Sequence, residues 1–314
     1  MIILCGIPSE APLHAVIVAA ERRGADHLVF NQREAQHADI LLNASGPTVN
    51  GTLSFQGRTI DTAQVSGVFV RLMDLDDLPE HSPRRRRNDP GPVDRARAIQ
   101  HALLEWLDVA ECRVLNRPGN TLSNMSKAFQ ALAIRRAGFR IPATLITNDP
   151  DAVRAFARTH GRVIFKSASS VRSIVQELTS EHRRSLERVR DLPTQFQEYV
   201  PGMNIRVHTV GARHFATEVR TEAIDYRYAT QQGVSVDIRA GTLPPKVAER
   251  CLVLAGALGL PFAGIDLKRT PAGHYYCLEV NPAPAYTYYE EHTGQPIADA
   301  VVEYLAVGGP ANGG

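Results

Sequence analysis

Residues 264–268, Gly-Ile-Asp-Leu-Lys, and residues 275–282, Tyr-Tyr-Cys-Leu-Glu-Val-Asn-Pro, have the pattern of two β-strands joined by a tight turn. Apolar residues dominate both segments, and residues 270–273, Thr-Pro-Ala-Gly, supply the reversal. If the last two residues of that turn form a two-residue loop, counting outward places Asp266 opposite Glu279. The pattern therefore predicts a hairpin that brings two carboxylates together.

A third oxygen-bearing side chain belongs to the same patch. Glu279 and Asn281 lie two residues apart in a strand, so they share a face with each other and with Asp266. Carboxylates and other hard oxygen ligands suit Mg²⁺, which also binds nucleotide phosphates. A register slip of one residue would turn one set to the other face. The competing interpretation is a surface hairpin with scattered polar side chains.

Composition places the chain among ordinary globular proteins. It has 314 residues, 44% of them hydrophobic and 22% charged, with a net charge of +2. This length predicts about two domains. The small net charge indicates no polyanionic partner, and no zinc finger or RNP-like motif is present, so a nucleic-acid partner is not expected.

The cysteines and the apolar segments indicate the cellular compartment in which the protein is expected. Cys5, Cys112, Cys251 and Cys277 are far apart without CxxC spacing, which argues against a zinc site and a disulfide framework. No segment reaches the ~18 consecutive apolar residues of a membrane span, and the N-terminus lacks signal-peptide features. We expect a cytoplasmic protein with reduced, buried thiols and no membrane partner.

The first eighty residues alternate strand and helix signals, which predicts a small, mostly parallel sheet with helical cover, an α/β arrangement. A Pro- and Gly-rich segment at residues 79–92 interrupts this pattern as a predicted loop and includes four arginines at 84–87. A solvated loop is favoured over a binding segment for an acidic substrate or nucleic acid, because a run of like charges is weak evidence for binding. A helix follows at 93–110.

The remainder of the chain reads as further strands and helices. Strands are predicted at 113–115, 143–147, 163–166, 174–178, 195–200, 204–210 and 214–219. Helices are predicted at 124–137, from 150 onward, at 247–258 and at 295–306, before a polar tail at 308–314.

Several basic and polar residues in this part are suited to nucleotide binding. Lys127 is early in a helix and Lys166 ends a β-branched strand, and a lysine is a compact charge that suits phosphate oxygens. The strand end at residues 197–200, Gln-Glu-Tyr-Val, offers backbone groups to an adenine. Arg206 and Arg227 are candidates to stabilise phosphoryl charge. Each lysine alone is more often a surface residue, the strand end could equally be a simple apolar strand end, and arginines beside aromatic residues are also common packing elements.

The order of these residues is more specific than any one of them, and it resembles the ATP-grasp superfamily, in particular its RimK-type carboxylate–amine ligases. The resemblance runs from about residue 116 to 305. It implies an ATP-grasp fold with an N-terminal preATP-grasp α/β domain and an α+β C-terminal part. The implied domains are residues 1–112, 113–192 and 193–307, with a flexible tail at 308–314.

The resemblance also implies roles for individual residues. It implies ATP-phosphate contacts from Lys127 and Lys166, an adenine hinge at Gln197, Glu198, Tyr199 and Val200, a ribose contact near Asn204, phosphoryl contacts from Arg206 and Arg227, and Mg²⁺ bound by Asp266, Glu279 and Asn281. Mn²⁺ is an expected substitute. Asn204 departs from the family, which usually has an aspartate there. Residues 166–172, Lys-Ser-Ala-Ser-Ser-Val-Arg, lack the glycines of the usual phosphate flap and are similar to the Ser-rich versions of graspetide maturases.

The implied reaction joins a carboxylate to an amine with ATP through an acyl phosphate, on an amino acid, a peptide or a natural-product intermediate. Two alternatives stay open: a maturase that forms ester or amide macrocycles in a ribosomal peptide, and a non-catalytic ATP-binding protein. The substrate pair, the bond type and a homo-oligomer are also open. Arg71 is either a substrate-carboxylate contact or a surface residue. Tyr286, Tyr288 and Tyr289 either wall an acceptor pocket or pack.

Overall fold

The computed structural model describes residues 1–81, 90–167, 175–221 and 233–307. The strands are β1 (Ile2–Gly6), β2 (His27–Asn31), β3 (Asp39–Asn43), β4 (Asn50–Phe55), β5 (Arg58–Asp61), β6 (Gly67–Arg71), β7 (Arg113–Leu115), β8 (Thr144–Thr147), β9 (Val163–Ser167), β10 (Gln176–Glu177), β11 (Thr194–Glu198), β12 (Met203–Val210), β13 (Arg213–Arg220), β14 (Asp237–Gly241), β15 (Phe262–Arg269) and β16 (Tyr275–Asn281). The helices are α1 (Ala11–Arg22), α2 (Pro90–Val109), α3 (Pro118–Thr121), α4 (Lys127–Arg136), α5 (Pro150–His160), α6 (Ser180–Arg184), α7 (Pro245–Ala257), α8 (Thr287–Thr293) and α9 (Ile297–Ala306). The predicted arginine loop at 84–87, the flap residues 168–172, Arg227 and the tail at 308–314 lie outside the described residues.

The β15–β16 hairpin has the predicted carboxylate pairing but not the predicted loop. Thr270 pairs with His274 through its backbone N–H, so the loop has three residues rather than two. A β-bulge then leaves Leu278 without a partner, and beyond it Asp266 lies opposite Glu279. The additional loop residue and the bulge each shift the pairing by one residue, in opposite directions. The predicted register that brings the two carboxylates together is therefore kept.

The N-terminal sheet confirms the predicted parallel arrangement. Its order is β2-β1-β6-β7, and all three pairings are parallel. Strand β1 is buried on both faces: alternate side chains pack toward α1 and α9 on one side and toward α2 on the other. This explains its continuous apolar sequence. Strand β7 extends this sheet to residue 115, beyond the proposed limit of the first domain at 112. Strands β3, β4 and β5 form a separate antiparallel sheet.

Two antiparallel sheets follow, and they position the candidate site. The first has the order β10-β9-β11-β8 and the second has the order β14-β13-β12-β15-β16. Helices α4 and α7 pack on the second sheet in one apolar cluster, and a smaller cluster with α5 fills the first. The fold class is confirmed as mixed α/β, whereas the domain limits remain a prediction.

Several predicted element limits were wrong for identifiable local reasons. Helix α2 begins at Pro90, inside the segment predicted as loop, and proline is well tolerated in the first turn of a helix. The helix predicted at 124–137 begins at Lys127, because the Ser126 hydroxyl caps it by accepting the Phe129 N–H at 3.2 Å. Helices α3, α6 and α8 and strand β14 were not predicted. No helix within the described ranges combines the length and the apolar character needed to cross a bilayer.

Candidate nucleotide and metal site

The outer edge of β16 is held by a side chain from helix α4. The Gln130 amide donates to Val280 O at 2.6 Å, and its Oε1 accepts the Val280 N–H at 3.1 Å. Gln130 is buried, so these bonds occupy backbone groups that no neighbouring strand would pair. Because Val280 lies between Glu279 and Asn281, this contact places both side chains. Gln130 was not predicted as a site residue from the sequence, although a glutamine on the buried face of an amphipathic helix is the available signal.

Arg206 and Asp266 form the centre of the site. They lie opposite each other on β12 and β15, and Arg206 Nη1 is 2.9 Å from Asp266 Oδ2. The Arg206 side chain is only 7% exposed, and the Asp266 carboxylate offsets part of the cost of burying its positive charge. A Cβ added at Gly264 would lie 2.0 Å from Arg206 Nη2. Gly264 therefore provides the space for the guanidinium, and a glycine inside a strand is the sequence signal for such a close approach.

Both predicted phosphate-binding lysines contact Glu279. Lys127 Nζ lies 2.8 Å from Glu279 Oε1, and Lys166 Nζ lies 3.5 Å from Glu279 Oε2. The lysines come from different elements, the first residue of α4 and strand β9. The three side chains are between 16% and 30% exposed, so the cluster lines a cleft rather than the open surface.

The donor set fits a magnesium–nucleotide complex. Three cations surround two carboxylates, so the site has the positive charge that phosphates need and the acidic oxygens that Mg²⁺ needs. No group of three or more His, Cys, Asp or Glu able to hold a metal occurs within the described ranges. Two carboxylates and an amide suit Mg²⁺ only where phosphates and water supply the other ligands.

Asn281 is placed next to this cluster by the loop that follows β16. Its Oδ1 accepts the Ala283 N–H at 2.9 Å, which leaves the second lone pair of that oxygen for a ligand. The loop is anchored by the buried Asn116, whose amide donates to Phe262 O and Pro282 O, both at 2.6 Å. Asn116 was not identified as a positioning residue from the sequence.

The predicted adenine hinge is the end of β11. The Glu198 N–H donates to Ala143 O at 2.9 Å, so this amide is already used. The side chain of Gln197 donates to Thr144 Oγ1 at 3.0 Å. The neighbouring Gln195 is buried, and its Oε1 has no hydrogen-bond partner among the described residues. Such an orphaned acceptor at a cleft is satisfied when a ligand donates to it.

Tyr199 and Asn204 line the same end of the cleft. The Arg162 guanidinium lies 3.7 Å from the Tyr199 ring centroid, and Lys268 Nζ lies 5.6 Å from it. Asn204 faces Lys268 across the β12–β15 pair. Burial and the charge of Arg162 lower the pKa of Lys268. An asparagine in place of the family's aspartate therefore leaves a cation without a carboxylate directly across the strand pair.

One cleft, partly open to solvent, connects these groups. The predicted residues that line it are Lys166, Gln197, Glu198, Tyr199, Val200, Asn204, Asp266 and Glu279. Lys127 reaches the same carboxylate from α4. The structure thus brings together the described members of the predicted set.

The residues whose roles the sequence left open do not line this cleft. Arg71 is paired with Glu10 and lines a different cavity, at the carboxyl ends of the parallel strands. Tyr286 is fully buried, and its hydroxyl donates to Pro12 O at 2.8 Å, which is a packing role. Tyr289 is also buried and packs on the His208 ring, whereas Tyr288 is partly exposed.

The fold and this cleft define the class to which the chain belongs. It is a member of the RimK-like ATP-grasp domain family, whose model matches residues 123–305. A relative named "Probable alpha-L-glutamate ligase" from Xanthomonas oryzae pv. oryzae is 31% identical over an alignment of 191 residues, and the match covers 57% of this chain and 63% of that protein. The chain spans less than two thirds of the length of the curated relatives it matches first.

Solved structures match over nearly the whole chain. The ATP-grasp ligase PsnB, in complex with a minimal precursor, Mg and ADP, is 26% identical with a TM-score of 0.78, covering 98% of this chain and 96% of that one. The macrocyclase MdnC from Microcystis aeruginosa, bound with the precursor peptide MdnA, is 23% identical with a TM-score of 0.76, covering 97% and 99%. The MdnC likeness is one of fold alone. Together the matches confirm the predicted family and fold.

Proposed function

We propose that this protein is an ATP-dependent ligase that activates a carboxylate as an acyl phosphate and joins it to an amine, releasing ADP and phosphate. The observation that carries the proposal is the Asp266–Glu279 pair, enclosed by Lys127, Lys166 and Arg206 at one end of the cleft. Phosphoryl transfer depends on positioning and charge neutralisation, and this cluster supplies both.

The roles proposed from the family resemblance agree with this geometry. Lys127 and Lys166 would bind ATP phosphates, and Asp266, Glu279 and Asn281 would hold Mg²⁺, for which Mn²⁺ would substitute. When bound, Mg²⁺ neutralises phosphate charge and orients the transferred group. Gln197, Glu198, Tyr199 and Val200 would surround the adenine, with Asn204 near the ribose. Arg227 is proposed as the second phosphoryl contact from its sequence position alone.

The proposed reaction has two balanced steps. In the first, a substrate carboxylate oxygen forms a bond to the γ-phosphorus of ATP, and the bond to the β–γ bridging oxygen breaks with its electron pair leaving on ADP. In the second, an amine nitrogen attacks the acyl carbon, phosphate leaves, and the nitrogen loses a proton to water. Arg206, held over Gly264, would stabilise the charge on the transferred phosphoryl group.

ADP release tests the proposal directly. Pooled carboxylates and amines are incubated with ATP and Mg²⁺, ADP formation is followed, and products are identified by mass spectrometry. Glu279→Ala is expected to abolish ADP formation, with Glu291→Ala, an exposed acid of α8, as the control. Near-normal turnover by Glu279→Ala would refute the metal role. ATP binding without ADP release across the panel would favour a non-catalytic protein.

A precursor peptide is a second candidate for the substrate. The specific observation is the match to PsnB, captured with a precursor, over 98% of this chain at 26% identity, while the glutamate-ligase match covers 57%. In this case the product would be an ester or amide macrocycle in a ribosomal peptide. Loss of one water mass per crosslink from a co-expressed acidic peptide would support it, whereas products from free amino acids alone would favour the first candidate.

We also propose a cytoplasmic location. All four cysteines are unpaired and buried, and burial raises the pKa of the Cys112 thiol to about 11 and that of Cys251 to about 12. Inert, reduced thiols are typical of the compartment in which ATP is abundant.

A further inference from the structure

His208 lies beside Arg206 on strand β12, and nothing described above gives it a role. The two residues are two positions apart in the strand, so their side chains share a face. His208 is fully buried, and its Nε2 lies 3.3 Å from Arg206 Nε. A buried histidine in contact with an arginine is costly unless the ring is neutral and accepts a hydrogen bond.

The partners of the ring determine its protonation state. Arg206 remains charged and has only N–H donors, so the nitrogen that faces it must be an acceptor. Burial and the neighbouring Arg206 charge hold the pKa of His208 well below its usual value of 6.5. The contact with Arg206 therefore requires a neutral ring with its lone pair on Nε2, and the proton is then on Nδ1, which has no hydrogen-bond partner among the described residues.

The surroundings of the pair hold the guanidinium in one orientation. Tyr289 covers the Arg206–His208 pair. Its ring centroid lies 5.0 Å from the His208 ring centroid and 5.8 Å from the Arg206 guanidinium carbon. Gly264, directly across the strand pair from His208, leaves the space that the guanidinium fills. Asp266 holds the Nη1 end. His208 Nε2 engages the Nε end, and two bonds at opposite ends set the plane of the guanidinium.

We propose that His208 is a positioning residue for Arg206: its Nε2 accepts the Arg206 Nε–H bond and would keep the guanidinium oriented toward the transferred phosphoryl group while Asp266 would hold Mg²⁺. This inference rests on the proposed function for its kinetic consequence, but the hydrogen bond itself does not. Without His208 the guanidinium would lose one of its hydrogen-bond partners, and Asp266 would be shared with Mg²⁺ when the nucleotide is bound. Displacements of about 1 Å at such a group cost on the order of a hundredfold in rate.

Two substitutions separate positioning from packing. His208→Leu fills similar space without an acceptor, and His208→Gln places Oε1 where Nε2 lies. We expect His208→Leu to lower kcat for ADP formation at least tenfold with an unchanged Kd for Mg–ATP, and His208→Gln to recover most of the rate. His214→Leu, an exposed histidine of β13, is the matched control. Equal loss in both variants, or an unchanged kcat in His208→Leu, would overturn the proposal.

A spectroscopic measurement tests the bond without turnover or a folded leucine variant. Long-range ¹H–¹⁵N correlation of the wild-type protein at neutral pH, with the His208 signals assigned by their absence in His208→Gln, reports the tautomer. Nδ1–H with an unprotonated Nε2 supports the proposal. An Nε2–H tautomer or an imidazolium overturns it. A protein that releases no ADP would refute the proposed function and still give this result.

Discussion

Lys127 Nζ lies 2.8 Å from Glu279 Oε1, so a proposed phosphate ligand and a proposed metal ligand neutralise each other. Arg206 and Asp266 repeat the relationship at 2.9 Å. In the proposed function, each of these cations would bind a phosphate and each carboxylate would bind Mg²⁺. Binding of Mg–ATP would replace these ion pairs by cation–phosphate and carboxylate–metal contacts. The same charged side chains would exchange one partner for another, so little additional charge would have to be buried.

Lys127→Met is expected to weaken Mg–ATP binding while barely altering the ligand-free protein. A hydrogen bond to a charged group contributes ~1.5–3 kcal/mol, so we expect a ten- to hundredfold higher Kd. The pair with Glu279 is partly exposed, and its loss should change the free energy of unfolding by less than about 1 kcal/mol. Calorimetric titration and urea unfolding measure the two effects. Lys246→Met, in the exposed first turn of α7, is the control, and an unchanged Kd in Lys127→Met would contradict the role.

Gly264→Ala is expected to displace Arg206 without unfolding the sheet. The added methyl would lie 2.0 Å from Arg206 Nη2 and 2.8 Å from Pro284 Cβ, so the guanidinium must move. We expect the rate of ADP formation to fall by about tenfold or more. Gly256→Ala in α7 is the matched control, because its new methyl meets no atom within 4 Å. That variant should keep full activity and gain up to about 1 kcal/mol of stability. Full activity in Gly264→Ala would show that the guanidinium position is unimportant.

Gln130→Leu is expected to destabilise the protein and weaken metal binding together. It leaves the Val280 N–H and C=O buried without their partners, and each such loss costs about 1–3 kcal/mol. Urea unfolding measures the stability, and Mg²⁺ titration in the presence of a non-hydrolysable ATP analogue measures the site. Gln64→Ala, at an exposed position, controls for loss of a glutamine. A stable variant with unchanged Mg²⁺ affinity would show that Gln130 does not position β16.

Glu290 is expected to give a pH-dependent contribution to stability. Burial raises the pKa of its carboxyl above 4.5, so the folded protein holds this proton more tightly than the unfolded chain does. The contribution is therefore complete below about pH 4.5 and is lost as the pH rises through the raised pKa. Glu290→Gln keeps an acceptor for the Ala298 N–H, which Glu290 Oε1 accepts at 3.0 Å. Its stability relative to wild type should rise with pH in unfolding curves between about pH 4.5 and 7.5. Glu291→Gln, an exposed neighbour, should show no such trend, and a flat difference for Glu290→Gln would contradict the prediction.

Most of the candidate residues that the structure brings together were predictable, because each carries its chemistry in its residue type, and their roles remain a prediction. The order of the two lysines, the segment at 197–200, Asn204, Arg206, Arg227, Asp266, Glu279 and Asn281 along the chain carried the family resemblance, which the family match confirms. The hairpin shows the limit of this reasoning. The prediction of a two-residue loop was wrong, and only a compensating bulge at Leu278 made the predicted pairing of Asp266 with Glu279 correct. Local turn preferences do not encode such a bulge.

The sequence by itself determined which functional groups the chain possesses and most of the strands that carry them, because strand alternation is a local property. The order of those groups along the chain carried the resemblance to the family. Only the tertiary structure decided which groups meet. Gln130 reaches β16 across 150 positions of chain, and Asn116 reaches Phe262 across 146. The His208 contact with Arg206 depends on the space above Gly264 on another strand. Such contacts follow from the packing of distant elements, whose free energy is shared among many residues and leaves no signature in any single segment.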